Sequence, residues 1–447
     1  MYKGGNPSIK PNDDFREIVS KNIIYELESK CFESRSKDGV KGVFSRERKL
    51  SFKNLILFII KTKGALQREL DDFYKAINQQ DLKIREITKG ALSQSRAKLN
   101  EWAFTRLNEV AVNSFYDNAE YYVWNGMRLV AVDGTRLVLP NHPSIIEEFD
   151  RHNFGPKADS PRSLALASML YDVLNQVTID AQIAPYSESE GDLLSKHLDK
   201  IKEGDLLLLD RGYPCFWLLF MLKARGIEFC VRLKDNWWLK VKDFAESKEK
   251  ERLVTFSLPK KDRNKLKDYP QMQNSTITCR LLKIELETGE TEILCTSLTD
   301  IEKYPHEVFA PLYHLRWNEE EAYKLLKSRI ELEDFSGKTA RAIKQDFHAK
   351  IFLLSLCAIY AHPVEERVRA EYKADDNRKY DQKINRTNAI SITLDILIPI
   401  FVRKQFDSAL KSFDKIVSQT REIIRTDRNI PRKKKPKKLY SMNYKRL

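Results

Sequence analysis

Tyr313, Arg316, Glu320 and Lys327 stand at offsets 0, 3, 7 and 14 in the stretch YHLRWNEEEAYKLLK. At about 100° per residue these positions fall within about 60° of one another on an α-helix. One narrow stripe then carries a phenol, two cations and a carboxylate. Such a set is costly to bury as plain core. It suits a site where a metal-binding carboxylate works beside phosphates. Glu319 and Glu321 point roughly 100° to either side, so the spacing selects Glu320 from the triplet. Taken alone, Lys327 reads better as half of a surface pair with an acid one turn away.

Two aspartates complete a candidate set. Asp133 closes the apolar run MRLVAVD and precedes Gly134, Thr135 and Arg136. Asp210 closes DLLLLD and precedes Arg211, Gly212, Tyr213 and Pro214. Short apolar runs bounded by turn residues read as strands buried on both faces. An aspartate at such a strand's end projects from the sheet edge, where ions reach it. Asp133, Asp210 and Glu320 are hard oxygen ligands of the kind Mg²⁺ takes. Two Mg²⁺ ions about 4 Å apart would activate an attacking oxygen and stabilise a leaving one. Asp133 would bridge them, Asp210 and Glu320 would each hold one, and Mn²⁺ is the alternative ion. Arg316 and Lys327, on the glutamate's face, could grip phosphates near the scissile bond. Arg136 and Arg211 would touch DNA or pair with the carboxylates. Gly212 reads as permitting a tight turn. Asp172, Glu190 and Asp192 are further acids that match no catalytic position. The sequence shows no Ser-His-Asp or Cys-His nucleophile set, no GxxxxGKS phosphate loop and no Gly-rich dinucleotide pattern.

These residues carry a resemblance. The spacing Y-x2-R-x3-E-x6-K, the DGT and DRGY segments and the order Asp, Asp, Glu resemble the DDE transposases of bacterial insertion sequences. The chain is most similar to the insertion-sequence-four family. The likeness runs from about residue 30 to the C-terminus and includes the downstream FSGKTARAIKQDFHAKIF. It implies a ribonuclease H-like core with catalytic Asp133, Asp210 and Glu320, and contacts to the transposon end from Tyr313, Arg316 and Lys327. It also implies a homodimer that cuts double-stranded DNA at terminal inverted repeats through a hairpin and joins the freed 3′ end to target DNA. Two rival readings stand: a two-metal nuclease without strand transfer, and an inert DNA-binding protein derived from a transposase. The long N-terminal helical region and a β-rich insertion speak against the first, and the intact acids against the second.

Composition agrees with a polyanionic partner. The 447 residues hold 78 Lys and Arg against 64 Asp and Glu, a net charge of +14, although a basic protein without such a partner has the same charge. Hydrophobic content of 42% supports real cores. The six scattered cysteines read as reduced core residues of a cytosolic protein, and the apolar stretches LILFII and IFLLSLCAIY read as too short to span a bilayer. The expected location is the bacterial cytoplasm, in association with the nucleoid and with no membrane.

The elements that must position the acids follow. Residues 1–15 read as disordered and 16–122 as a helical DNA-binding domain. There SQSRAKL, with Arg96 and Lys98, is a candidate recognition helix or a solvated basic helix. Residues 123–234 and 309–365 read as an α/β catalytic core, with strands MRLVAVD, TRLVLP, SLALASMLYDV, NQVTIDAQIAP, DLLLLD and GIEFCVRLK. Residues 235–308 read as a β-rich insertion. Trp237 and Trp238, where it begins, are candidates for stacking on an extruded base or for ordinary packing, and Trp317 reads as core. Residues 366–425 read as a helical C-terminal region and candidate dimer interface, and 426–447 as a polybasic tail on DNA phosphates. The expected class is thus a ribonuclease H-like α/β core with a β-rich insertion and flanking all-α N- and C-terminal regions.

Overall fold

The computed structural model describes residues 2–4, 14–37, 49–153, 161–286 and 289–425. The expected polybasic tail and most of the N-terminal start lie outside the described residues. Tyr2–Gly4 (β1) pairs antiparallel with Tyr121–Val123 (β2), which corrects the expectation of a disordered start for these three residues. A short strand edge offers unpaired backbone groups, and the first residues satisfy them.

The helical region follows the apolar periodicity. Phe15–Glu28 (α1) starts at Asp14, whose side chain accepts from the Arg16 N–H, and Lys30–Arg35 (α2) follows. Phe52–Lys61 (α3) buries every residue from Leu55 to Ile60, as expected of a helix apolar all round. Leu66–Asn78 (α4) buries one stripe, Leu70, Phe73 and Tyr74. Lys89–Arg96 (α5) is capped by Thr88, and Trp102–Asn118 (α6) leads to β2.

One mixed sheet of eight strands forms the centre, ordered β5-β4-β3-β6-β7-β10-β9-β8. Its strands are Leu129–Val138 (β3), Leu164–Asp172 (β4), Val177–Pro185 (β5), Leu206–Leu209 (β6), Glu228–Leu233 (β7), Glu251–Ser257 (β8), Thr276–Glu285 (β9) and Thr291–Thr296 (β10). The helices Pro143–Phe149 (α7), Glu190–His197 (α8), Phe216–Ala224 (α9) and Leu239–Glu246 (α10) lie between them. Side chains alternate between two cores, as the period of two requires. Leu129, Ala131, Leu206 and Leu208 face one core, while Val130, Val132, Leu207 and Leu209 face the other. The insertion is not a separate sheet, because β10 pairs antiparallel with β7 and extends the core. Without that pairing β7 would be an edge with unpaired backbone groups.

Phe309–His314 (α11), Trp317–Ser328 (α12) and Ala340–Glu371 (α13) return to the sheet, and Arg386–Phe401 (α14) and Phe406–Gln419 (α15) end the helical part. Gln382–Ile384 (β11) and Arg421–Ile423 (β12) form a small ribbon. The 32-residue α13 packs against α3, α6, α14 and α15. It crosses the expected boundary at residue 365, so the N-terminal, catalytic and C-terminal segments share one core. Helix α13, which contains the stretch IFLLSLCAIY, is long and apolar enough to cross a membrane by length and composition, yet its apolar part is 94% buried inside the protein.

Arg96 corrects a sequence expectation. It is buried, with Nε donating to Gln345 Oε1 at 2.6 Å and Nη2 to Asp346 Oδ1 at 2.7 Å and to the Ala342 carbonyl at 2.8 Å. The guanidinium ties α5 to the start of α13 and does not face DNA, whereas Lys98 is exposed. Removing one partner of a buried ion pair leaves the other charge uncompensated and costs about 3–5 kcal/mol. Arg96→Ala should therefore lower the denaturant-derived unfolding free energy by about that much, while Lys98→Ala should stay within about 0.5 kcal/mol of the native protein. Equal stability for the two variants would contradict this role.

Candidate active site

Strands β3 and β6 run parallel, with Leu129 to Val132 opposite Leu206 to Leu209. The next residue on each strand is Asp133 and Asp210, so the register brings both acids to one level. Strand β3 does not end at Asp133, as the sequence suggested. It continues to Val138 against β4, with Asp133 opposite Met169. What ends is the pairing with β6, and that opens the edge beside Asp133. The Gly134 N–H donates to Asp133 Oδ1 at 2.8 Å.

The third acid arrives from α12. The expected single helical stripe is two helices, because α11 ends at His314 and α12 begins at Trp317, with Leu315 and Arg316 in a turn. The stripe residues still converge on the sheet. Arg316, 5% exposed, lies between two acids, with Nη1 3.4 Å from Asp133 Oδ2 and Nη2 3.1 Å from Glu320 Oε1. Burial pulls its pKa down, but Tyr313, Asp133, Asp210 and Glu320 outweigh that and hold the guanidinium charge above its usual range. Lys327 Nζ donates to Thr135 Oγ1 and to the Arg136 carbonyl, both at 2.7 Å. Burial lowers its pKa. Tyr313 is buried and its hydroxyl donates to the Leu209 carbonyl at 3.3 Å. It is placed to anchor the end of β6, which corrects the expected DNA contact. Arg136 and Arg211 are exposed beside their acids. Trp317 is 46% exposed and is not core. Trp238 stacks on Phe216 at 4.1 Å, while Trp237 is exposed.

Glu319 is the residue that sequence reasoning missed. It is fully buried, and its Oε1 accepts from the Asp133 N–H at 2.9 Å. Burial and then the nearby Asp133 charge hold its carboxyl well above the usual range, which favours its neutral form. A signal existed, since Glu319, Ala322, Tyr323 and Leu326 are the buried face of α12 at i, i+3, i+4 and i+7. Tyr323 continues that docking by donating to the Asp133 carbonyl at 2.9 Å.

The rival acids separate. Asp172 is buried and accepts from Tyr116 and from the Leu174 and Asn175 N–H groups, holding the β4–β5 turn. Asp192 completes a capping box with Ser189. Glu190 alone lies at the site, where burial and then Asp133 and Asp210 push its carboxyl up. A Ser-His-Asp array does exist, against the sequence reading. His197 Nδ1 is 2.7 Å from Asp180 Oδ2 and its Nε2 is 3.0 Å from Ser168 Oγ. All three are buried, so no substrate reaches the serine and the array is structural.

The donor set fits a divalent cation in kind. Asp133, Asp210, Glu190, Glu319 and Glu320 are all oxygen ligands. Burial, then Glu320 and Asp210, raise the Asp133 pKa, although Arg316 and the Gly134 N–H oppose the rise. Asp210 Oδ1 and Glu319 Oε2 are buried without a hydrogen-bond partner. Among the described residues, no group of three acidic, His or Cys side chains is drawn close enough to hold an ion. Arg316 stands between Asp133 and Glu320 instead.

The pH dependence of Glu319 follows from the direction in which its pKa moves. That pKa is raised in the folded state, so its stabilising contribution is full below the unfolded carboxyl range near pH 4 and is lost as pH rises toward the folded value. Each tenfold gain in proton affinity on folding is worth about 1.4 kcal/mol. Glu319→Gln, which mimics the neutral acid, should therefore gain stability relative to the native chain between pH 5 and pH 8 in melts with chelator. A pH-independent difference would show that the carboxyl's pKa is not raised on folding.

The chain is similar to several known proteins. Residues 124–356, just over half of the chain, match the transposase DDE domain family. The transposase InsG for insertion sequence element IS4 of Escherichia coli (strain K12) is 24% identical over 317 residues, 68% of this chain and 67% of that protein. The putative transposase InsZ of the same organism is 24% identical over 147 residues, 31% of this chain and 47% of that protein. A solved piggyBac transposase synaptic complex with hairpin DNA aligns with a TM-score of 0.46 and 11% identity, over 93% of this chain and 88% of that one. The chain thus belongs to the DDE transposases, in the company of those of IS4-type insertion sequences.

Proposed function

We propose that the chain cuts an insertion sequence at its terminal inverted repeats and joins it to target DNA by two-metal phosphoryl transfer. The observation that carries this reading is the β3–β6 register, which sets Asp133 and Asp210 level with each other, with Glu320 brought in by Arg316. The strand order supports a ribonuclease H-like sheet: β5, β4 and β3 are antiparallel, and β6 and β7 continue parallel to β3.

Asp133, Asp210 and Glu320 would hold Mg²⁺, with Mn²⁺ as the alternative. Bound divalent ions supply Lewis acidity to the attacking and leaving oxygens. The chain's own residues do the positioning. Glu319 and the Gly134 N–H orient Asp133 through its backbone and carboxylate. Arg316 holds countercharge that can turn toward a phosphate. Arg136, Arg211 and Lys98 are exposed cations for the DNA backbone. A water oxygen attacks the phosphorus and the bond to the 3′ oxygen breaks, leaving a 5′ phosphate and a 3′ hydroxyl. That hydroxyl then loses its proton and attacks a second phosphate, whose bond to its own 3′ oxygen breaks, and this oxygen leaves as a hydroxyl. Residues 366–425 are the candidate interface of a homodimer on DNA, and cytoplasmic DNA is the expected place of action.

The test is a plasmid carrying the gene with its native flanking DNA, incubated with purified protein and Mg²⁺, with broken ends mapped by sequencing. Paired double-strand breaks at two inverted repeats, absent with Asp210→Asn, are the expected result. Scattered nicks would favour a nuclease, and binding without cleavage in Mg²⁺ or Mn²⁺ an inert DNA-binding protein.

A further inference from the structure

We propose that Glu190 is a fourth acidic ligand of the active site, set beside Asp133 and Asp210 by a slot that two glycines leave open. The proposal rests on the metal-site reading above and adds a residue to it.

The slot is a matter of volume. A Cβ at Gly134 would lie 2.8 Å from Glu190 Oε1, and one at Gly212 would lie 3.2 Å from Glu190 Oε2. Neither glycine has the left-handed φ that would demand glycine for its own backbone. Gly212 does sit in the expected tight turn, closed by the Tyr213 N–H donating to the Asp210 carbonyl at 3.2 Å, and what glycine adds there is space. Gly134 directly follows Asp133 and Gly212 lies two residues past Asp210. Strand β3 just after Asp133 and the turn just after Asp210 therefore both give up a side chain to admit one carboxylate.

Helix capping does not explain that carboxylate. Ser189 and Asp192 already form the capping box of α8. Among the described residues no hydrogen bond or ion pair engages the Glu190 side chain, and the charges acting on it are those of Asp133 and Asp210. Independently, Tyr213, 5% exposed, has a buried hydroxyl with no partner. Its strongest charged neighbours are Glu190, Asp133 and Glu319. An unpaired buried donor among acids is costly to keep. A ligand shell that includes a bound cation and its water would give both groups partners.

The experiment is a Mn²⁺ titration of the full-length protein without DNA, read by electron paramagnetic resonance, with circular dichroism to verify folding. Glu190→Gln should weaken binding about tenfold, within the range seen when groups around a metal site are removed. Gly134→Ala keeps Glu190 but pushes its flexible end out of the slot, so it should weaken binding similarly. Adding Gly134→Ala to Glu190→Gln should then weaken it no further. Native-like binding by Glu190→Gln, with loss in Asp210→Asn, would overturn the role of Glu190 and leave the metal site intact. Native-like binding by both variants would overturn the metal site itself.

Discussion

One buried guanidinium, Arg316, faces more carboxyl groups than it can neutralise, and the rest of the structure is arranged around that imbalance. Asp133 and Glu320 share it, while Asp210, Glu190 and Glu319 crowd the same level. Two like charges 4 Å apart repel by about 4 kcal/mol at the effective dielectric of a protein surface. Such crowding survives only where a stiff scaffold holds it, and it is partly relieved by the burial that favours the neutral form of Glu319. The same imbalance is what a pair of divalent cations would correct.

The scaffold is the parallel pair β3 and β6 at the centre of the sheet. Because β3 outruns β6, the backbone beyond Val132 has a partner on one side only. Helix α12 fills the other side, bonding through Glu319, Tyr323 and Lys327 to the Asp133 N–H, the Asp133 carbonyl and the Arg136 carbonyl. The acid-bearing helix is therefore fastened to the acid-bearing strand through the strand's own backbone groups. Extension of the sheet through β10 and the long α13 protect the two flanks of this arrangement.

Much of this was legible in the sequence because it depends on local pattern. Short apolar runs bounded by turn residues marked β3, β4, β5 and β6, and the spacing of Tyr313, Arg316, Glu320 and Lys327 marked a face that survives the break between α11 and α12. What was not legible depends on tertiary proximity. Arg96 looked like a surface cation of a basic helix, and only the approach of Asp346, 250 residues away, makes it a strut. Glu319 looked like one of three solvated acids, although its spacing to Ala322, Tyr323 and Leu326 was that of the buried face. Gly212 read only as a turn former and Gly134 carried no reading, because nothing local shows that Glu190 comes to lie against both.

The most direct measurement is a crystal structure of the full chain grown with saturating Mn²⁺, with the ions located by anomalous scattering. The expected result is Mn²⁺ between Asp133, Asp210 and Glu320, with Arg316 drawn away from Asp133. Anomalous density absent from these acids, with Arg316 still joining Asp133 to Glu320, would contradict the assignment of this cluster as the metal centre.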